Sequence, residues 1–539
     1  MTFLPIAERE LRVAARRPGT YWSRFWVALV VMTIWLVMLT SVQNFPQSVR
    51  GQVLLNGIGG IALIFCLAAG AFFTADCLAF EKREGTLGLL FLTDLKTYDI
   101  VFGKLAANSL HSLFGLLAMV PMLSLALSFG GVTGWEVARL TLVFLLALFF
   151  SVSVGMCVSA LSREARDALS RAMTVVILVT VGPPAFVGLL SLTRHPVWLE
   201  SLNWISPYHV FRGAFNSSYL LRQGPRDFWA SVSGVALVGL GAITWANLAL
   251  PRHWQDREVA APGATKAARA NVGATAQRRG QLLPLADQNP FYWLAKRDRV
   301  GRRGVSLAIV CLGPIWVVAM LVFAFYRNSA SLAISVGVSQ LSTYVMIFFL
   351  KLMVASEASR RSYQDRQTGA WELLLVTPLS LDEILDGSRR ALGEQFRKTL
   401  WFLTVVVLVN TLLMTGLVGQ VPGSSAQGVW LPIVMAIGQT ILLWRDFEAL
   451  AWVGMWRGLN AKQHRGAILE TYGQVIAARW LGGIMLLPFV TRILTSPHLL
   501  QVAWIGGFVL LDRVLEEVAK RNLRDHFRAV LQRRGTVGA

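Results

Sequence analysis

Apolar residues along this chain come in long runs, and charged residues gather between them. A bilayer core about 30 Å thick needs about 20 residues of helix to cross it, and the runs have that length. They predict spans at 25–42, 54–80, 105–129, 135–161, 172–192 and 229–250. From 251 to 289 no apolar run occurs. That stretch contains AAPGATKAARANVGATAQRRG, which is too polar to pack a core and predicts a cytoplasmic linker. The pattern then restarts, with spans at 305–326, 332–356, 396–418, 429–456, 475–494 and 499–511, the last cut short by Asp512 and Arg513. The pattern predicts an all-α integral membrane protein of about 12 transmembrane helices. They fall into two six-helix units, 1–250 and 290–539.

Composition and charge fit this reading. The chain is 55% hydrophobic and only 15% charged, against about 25% charged in an ordinary soluble domain. It carries 51 Lys+Arg against 30 Asp+Glu, a formal net charge of +21. The basic residues flank apolar runs instead of forming one domain, so they point to cytoplasmic loops beside acidic lipid, not to nucleic acid. Arg9, Arg12, Arg16 and Arg17 at the start, and Lys520, Arg521, Arg524, Arg528, Arg533 and Arg534 at the end, place both termini in the cytoplasm. That requires an even number of spans. The loop 193–228 falls outside by this count, although it carries Arg194, Arg212, Arg222 and Arg226. Its segment WLESLNWISPYHVF predicts short interfacial or re-entrant helices, with Trp198, Trp204 and Tyr208 at headgroup level.

Several chemistries find no footing. Cys66, Cys77, Cys157 and Cys311 all lie in apolar segments without metal-ligand spacing. The seven histidines are scattered, so no metal site is expected. No phosphate-cradling P-loop and no nucleophile elbow occur, and no cleavable signal pattern precedes the first run.

The chain repeats itself. EKREGTLGLLFLTDLKTYDIVFGK, from Glu81, aligns without a gap to DRQTGAWELLLVTPLSLDEILDGS, from Asp365, at an offset of 284. Seven of the nineteen positions 85–103 are identical, Gly85 with Gly369 and Gly103 with Gly387 among them. VGMCVSALSREAR, from Val154, resembles VGMWRGLNAKQHR, from Val453. PIAERELRVAARR, from Pro5, resembles PFYWLAKRDRVGRR, from Pro290. Repeats in one order argue for two equivalent units, related by an axis along the membrane normal.

These segments have physical consequences. Residues 5–17, with Leu4 just before them, put Leu4, Ala7, Leu11 and Ala14/Ala15 on one helical face and Arg9, Arg12 and Arg16 on the other. That predicts an amphipathic helix flat on the inner leaflet. The Glu81 and Asp365 loops each hold a short apolar run, then a threonine, then a polar turn. In the second copy Ser380 and Glu383 predict a capping box. Two such loops on the cytoplasmic side suit a partner with twofold symmetry.

At these residues the chain resembles the ABC-2 type permease family, whose pattern is an acidic/basic pair, then GTLELLLxTPLS, then an acidic-Ile-Leu-x-Gly-Lys stretch. Glu81, Gly85, Thr86, Leu89, Leu90, Thr93, Gly103 and Lys104 fit in the first half. Asp365, Gly369, Glu372, Leu373, Leu374, Thr377, Pro378, Leu379, Ser380, Glu383, Ile384 and Gly387 fit in the second. Asp94 replaces the proline, Gly88 the glutamate and Ser388 the lysine of that pattern. The resemblance implies a permease of the inner membrane, coupled through both loops to two copies of a separate ABC ATPase subunit. It further implies that ATP is bound by those subunits, that no cofactor is held directly, and that transport is outward. It names no substrate.

One polar cluster falls inside an apolar run. Arg445, Asp446 and Glu448 lie in the tenth span, where the first half has Leu146, Ala147 and Phe149. Arg445 and Glu448 are spaced to pair on one face, with Asp446 pointing elsewhere. Intramembrane charges face a cavity or each other. The cluster is therefore a substrate or proton site, an internal ion pair that fixes packing, or a break in the span. A secondary, ion- or proton-coupled transporter built on these charges is the alternative function. A membrane-embedded enzyme would need a cluster of His, Asp or Glu at one level, and this cluster has no histidine.

Overall fold

The computed structural model describes residues 46–253 except 84, 93–95, 163–164 and 191–196. It also describes 289–297, and 329–535 except 419–426, 462–463, 465, 477 and 480–496, with 32, 35, 39, 313 and 316 standing singly. The predicted interfacial helix with Arg9, Arg12 and Arg16, residue Thr93, the linker from 254 to 288 and most of the first, seventh and eleventh predicted spans lie outside the described residues. All regular structure among the described residues is helical. The chain divides into two compact units. One is Met1–Gln255 with Leu307–Val338, and the other is Asp256–Ser306 with Ser339–Ala539.

In the first unit, α1 (Gln47–Thr74) and the short α2 (Cys77–Arg83) are joined by a turn at Ala75–Asp76. The short helix α3 (Thr86–Phe91) follows, then α4 (Thr97–Leu125), α5 (Gly134–Leu161) and α6 (Ala165–Leu190). A 3-10 turn at Val197–Ile205, α7 (Pro207–Gly213) and α8 (Asn216–Tyr219) lead to α9 (Gly224–His253). Four segments here are long and apolar enough to cross a membrane: Arg50–Lys82, Thr97–Phe129, Gly134–Leu161 and Gly224–Arg252. They cover the second, third, fourth and sixth predicted spans. The fifth corresponds to α6, whose apolar stretch Ala168–Pro184 is shorter.

Small residues let α1 and α5 touch. A Cβ on Gly155 would meet Thr74 Oγ1 and the Ala71 backbone, and one on Gly70 would meet Ser151. Without a hydrophobic drive between helices in lipid, such close contact and interhelical hydrogen bonds hold them together. The break between α1 and α2 leaves first-turn N–H groups without helical partners. The Ser159 hydroxyl of α5 accepts from two of them, Leu78 N at 2.9 Å and Ala79 N at 3.1 Å.

The 193–228 loop holds short helices, and polar contacts fix it to the start of α5. Glu136, fully buried, accepts from the backbone and side-chain N–H groups of Asn216 at 2.9 and 3.0 Å. Arg139 donates to Ala214 O at 3.0 Å and lies over the Tyr219 ring, 4.0 Å from its centroid.

The second unit contains α10 (Pro290–Arg297), α11 (Ser329–Gln367) from Ser339 onward, α12 (Ala370–Leu375), α13 (Leu381–Val418), α14 (Gln427–Asn460) and α15 (Pro497–Gly535). Residues 466–476 are also helical. α10 packs on α13 at Gly387, where a Cβ would meet Tyr292 N at 3.0 Å. Asn289 caps α10 by accepting from Phe291 N at 2.9 Å.

Candidate coupling elements and a charged cavity

The two aligned loops adopt one local conformation. Gly85 has φ 69° and precedes α3, and Gly369 has φ 71° and precedes α12. An L side chain is strained at such angles, so glycine is required by the turn itself. Each short helix buries one aligned residue, Leu87 and Trp371, and exposes others. Leu89 and Leu92 are 64% and 84% exposed, and Leu373 and Val376 are 75% and 87% exposed. The next helix in each unit starts with an acidic residue reaching back. Asp99 accepts from Lys96 N at 3.1 Å, and Glu383 from Ser380 N at 2.8 Å. Glu383 N in turn donates to Ser380 Oγ at 3.3 Å, completing the predicted capping box. Hydrogen bonding to its carboxylate, from the Ser380 backbone N–H first and the Ser380 side chain second, holds Glu383 below its ordinary value.

The sequence-selected residues divide by role. Lys104 pairs with Glu81 at 2.7 Å, and Thr86 Oγ1 donates to the same carboxylate. These three form one partly buried knot beneath α3. Ile100 and Ile384 are fully buried. Gly387 carries the approach of α10, while Glu372, Thr377 and Pro378 are exposed. Trp371 packs edge-on against Phe527 of α15 at 5.0 Å and donates to Ser362 O at 3.2 Å.

Arg445, Asp446 and Glu448 part company. Arg445 pairs with Glu516 of α15 at 2.7 Å, and Glu448 pairs with Arg389 of α13 at 2.8 Å, so they do not bond to each other. Asp446, on the other side of α14, pairs with Lys351 at 2.7 Å and with Arg479. Arg479 also reaches Asp512 at 2.6 Å. Asp446 and Asp512 are buried, so this neutral quartet ties together α11, α14, residue 479 and α15. Arg445 and Glu448 instead line a cavity of about 490 Å³ among α13, α14 and α15. Sequence reasoning missed Lys351, Arg479, Glu516 and Arg389. The signal was present for Lys351, the single charge of its apolar run, and for Arg479, one of two arginines in its run with Arg492.

Comparison with known proteins bears on the first unit. Residues 37–249 match the family described as ABC-2 family transporter protein. The match runs from ahead of α1 into α9 and includes α3, so it supports a permease role for this region of a multi-pass membrane protein. No curated protein matches the chain.

Proposed function

We propose that this chain is the complete membrane-spanning part of an ATP-driven exporter in the inner membrane. Two six-helix units, 1–250 and 290–539, would be joined by the linker 251–289, with about 12 spans and both termini cytoplasmic. The chain hydrolyses no ATP itself. Two copies of a separate ATPase subunit bind ATP and dock on α3 and α12, and the helix carrying Arg9, Arg12 and Arg16 lies on the inner leaflet.

The observation that carries this reading is the paired geometry of α3 and α12. A left-handed glycine starts each, one large side chain anchors each, and exposed apolar side chains crown each, Leu89 and Leu92 in one and Leu373 and Val376 in the other. In a family of transporters, an exposed apolar crown on a rigid short helix suits a protein partner. Glu81 and Lys104 neutralise each other inside the first element, so they support the contact instead of making it.

The test is co-purification of the native ATPase with the full chain and with a Leu92→Glu, Val376→Glu variant. Both side chains are already exposed, so folding is preserved. Loss of the ATPase from the variant alone supports the docking. Absence of any ATPase from the unaltered chain overturns it. The Lys351, Asp446, Arg479 and Asp512 quartet then makes a proton-coupled secondary transporter the reading to test.

A further inference from the structure

The charged cavity of the second unit has an ordering that architecture does not require. Three ion pairs line it at rising exposure. Arg445–Glu516 is the deepest, with side chains 24% and 12% exposed. Arg389–Glu448 follows at 33% and 27%, and Arg524–Asp382 stands at the mouth at 59% and 60%. Buried Trp452 and Leu385 form its apolar wall, and Lys520 lies over the Trp452 ring while pairing with Glu516 at 2.7 Å. The first unit fills three of these positions, by the repeat alignment, with apolar residues. Leu105 stands where Arg389 does, Phe149 where Glu448 does and Leu146 where Arg445 does. Leu105 and Phe149 pack against a core of Leu78, Leu87, Ile100 and Leu250. Apolar packing is thus sufficient for this corner. A partly buried ion pair offers no general stability gain over such packing, so the ladder asks for another purpose.

The lining also constrains what can enter. It carries four cationic side chains and four carboxylates: Arg389, Arg445, Lys520 and Arg524 against Asp382, Asp386, Glu448 and Glu516. A ligand of one sign would add an uncompensated charge to a partly desolvated, already neutral site, which is costly. A molecule with both signs keeps the balance. Its anion takes an arginine and its ammonium takes the released carboxylate, so each rung exchanges partners through charge-assisted hydrogen bonds. The volume is within the range of small-molecule sites, about 300–1,000 Å³.

We infer that this cavity binds a small zwitterion carrying one phosphate or carboxylate and one ammonium, presented either free or as a lipid headgroup. The step from bound ligand to transported cargo rests on the permease reading, which also turns the mouth at Asp382 and Arg524 toward the cytoplasm. Binding itself does not rest on it.

The test is calorimetric titration of the purified full chain, without any ATPase, using glycerophosphoethanolamine, anionic glycerophosphoglycerol and cationic ethanolamine. The expected result is at least tenfold tighter binding of the zwitterion than of either single-sign probe. The Arg389→Gln, Glu448→Gln double variant, which keeps net charge and a polar side chain at both positions, should weaken it at least tenfold. Arg445→Gln with Glu516→Gln serves as a second variant should the first melt early. Mass spectrometry of the chain released from mixed-lipid nanodiscs separates the sources. Retention of phosphatidylethanolamine over phosphatidylglycerol, lost in the variant, supports the headgroup. Binding of the free probe without that retention supports a soluble zwitterion. No zwitterion binding, equal binding of a single-sign probe, or undiminished binding by a folded variant overturns the inference. Because no ATPase is present, failure of coupling and failure of this site are read separately.

Discussion

The Lys82 side chain donates to the backbone carbonyl of Ala160, one residue from the end of α5. Arg366 donates to the carbonyl of Leu459, one residue from the end of α14, at 2.5 Å. Lys82 aligns with Arg366 in one repeated segment, and Ala160 aligns with Leu459 in another. The last four carbonyls of a helix have no partner within it. In both units a cation just before the short helix, α3 or α12, satisfies one of them. The short helix is therefore anchored to the end of a long helix by a bond that spans the two repeated segments.

Replacing either cation by methionine should keep its apolar stem and lose the bond. Each change should cost about 1–3 kcal/mol, the range for hydrogen bonds made by charged groups. Arg366→Lys should recover part of the loss. Thermal unfolding in detergent reads the stability. Limited proteolysis around 366–381 reads whether the segment loosens locally, and equal cleavage of variant and parent would refute the anchoring role.

The two left-handed glycines make a cleaner comparison. Nothing lies within 4 Å of a Cβ on Gly85 or Gly369, so alanine there meets backbone strain alone. Each Gly→Ala change should cost about 1–2 kcal/mol, and the two should add because they belong to separate units. Gly369→Asn should be milder, since asparagine tolerates this conformation. Gly155→Ala should be worse than either, because its Cβ would overlap Thr74 and the Ala71 backbone. Chemical denaturation of the set gives the order. Gly155→Ala ranking below Gly85→Ala would contradict the tight α1–α5 crossing.

Much of this was readable from residues. Apolar runs located α1, α4, α5 and α9, because a span must hide its backbone whatever surrounds it. The repeated glycines Gly85 and Gly369 marked the aligned segments, but the left-handed turns they make before α3 and α12 were not read from the sequence. Ser380 and Glu383 announced a capping box because its partners are three residues apart. The charged residues of α14 were visible, but their partners were not. Arg445 meets Glu516 and Glu448 meets Arg389 across 71 and 59 positions, and local spacing favoured a bond between Arg445 and Glu448 instead. Gly387 looked like part of a motif, yet its reason lies in α10, some ninety-six positions earlier by Phe291.

The quartet of Lys351, Asp446, Arg479 and Asp512 predicts an unequal series. Arg479→Met strips Asp512 of its ionic partner and should cost about 3–5 kcal/mol, as removing one member of a buried pair does. Lys351→Met should cost less, since Arg479 still holds Asp446. A fourfold apolar replacement of similar volume should lie nearer the parent than Arg479→Met does. Unfolding of the three proteins in one detergent decides this. Arg479→Met as stable as the parent would mean that the quartet holds nothing together.

The capping box of α13 makes stability depend on acidity in a defined direction. Hydrogen bonds from Ser380 favour the Glu383 carboxylate, so its folded value lies below the ordinary 4.5. A carboxyl lowered on folding stabilises the protein above its unfolded value, and the contribution fades as pH falls through the lowered folded value. Glu383→Gln keeps a side chain that can complete the box but cannot titrate. The parent should therefore melt above the variant at neutral pH. The gap should stay constant well above the ordinary value, then close over the range in which the pH falls through that value and below it. Melting curves of both proteins over that series test the sign, because a gap that widens in acid would require Glu383 to be raised by folding. The same glutamate also stands in the first turn of α13, where the helix dipole favours negative charge. Added salt should therefore narrow the gap at neutral pH without moving the acidity at which it closes far from that range.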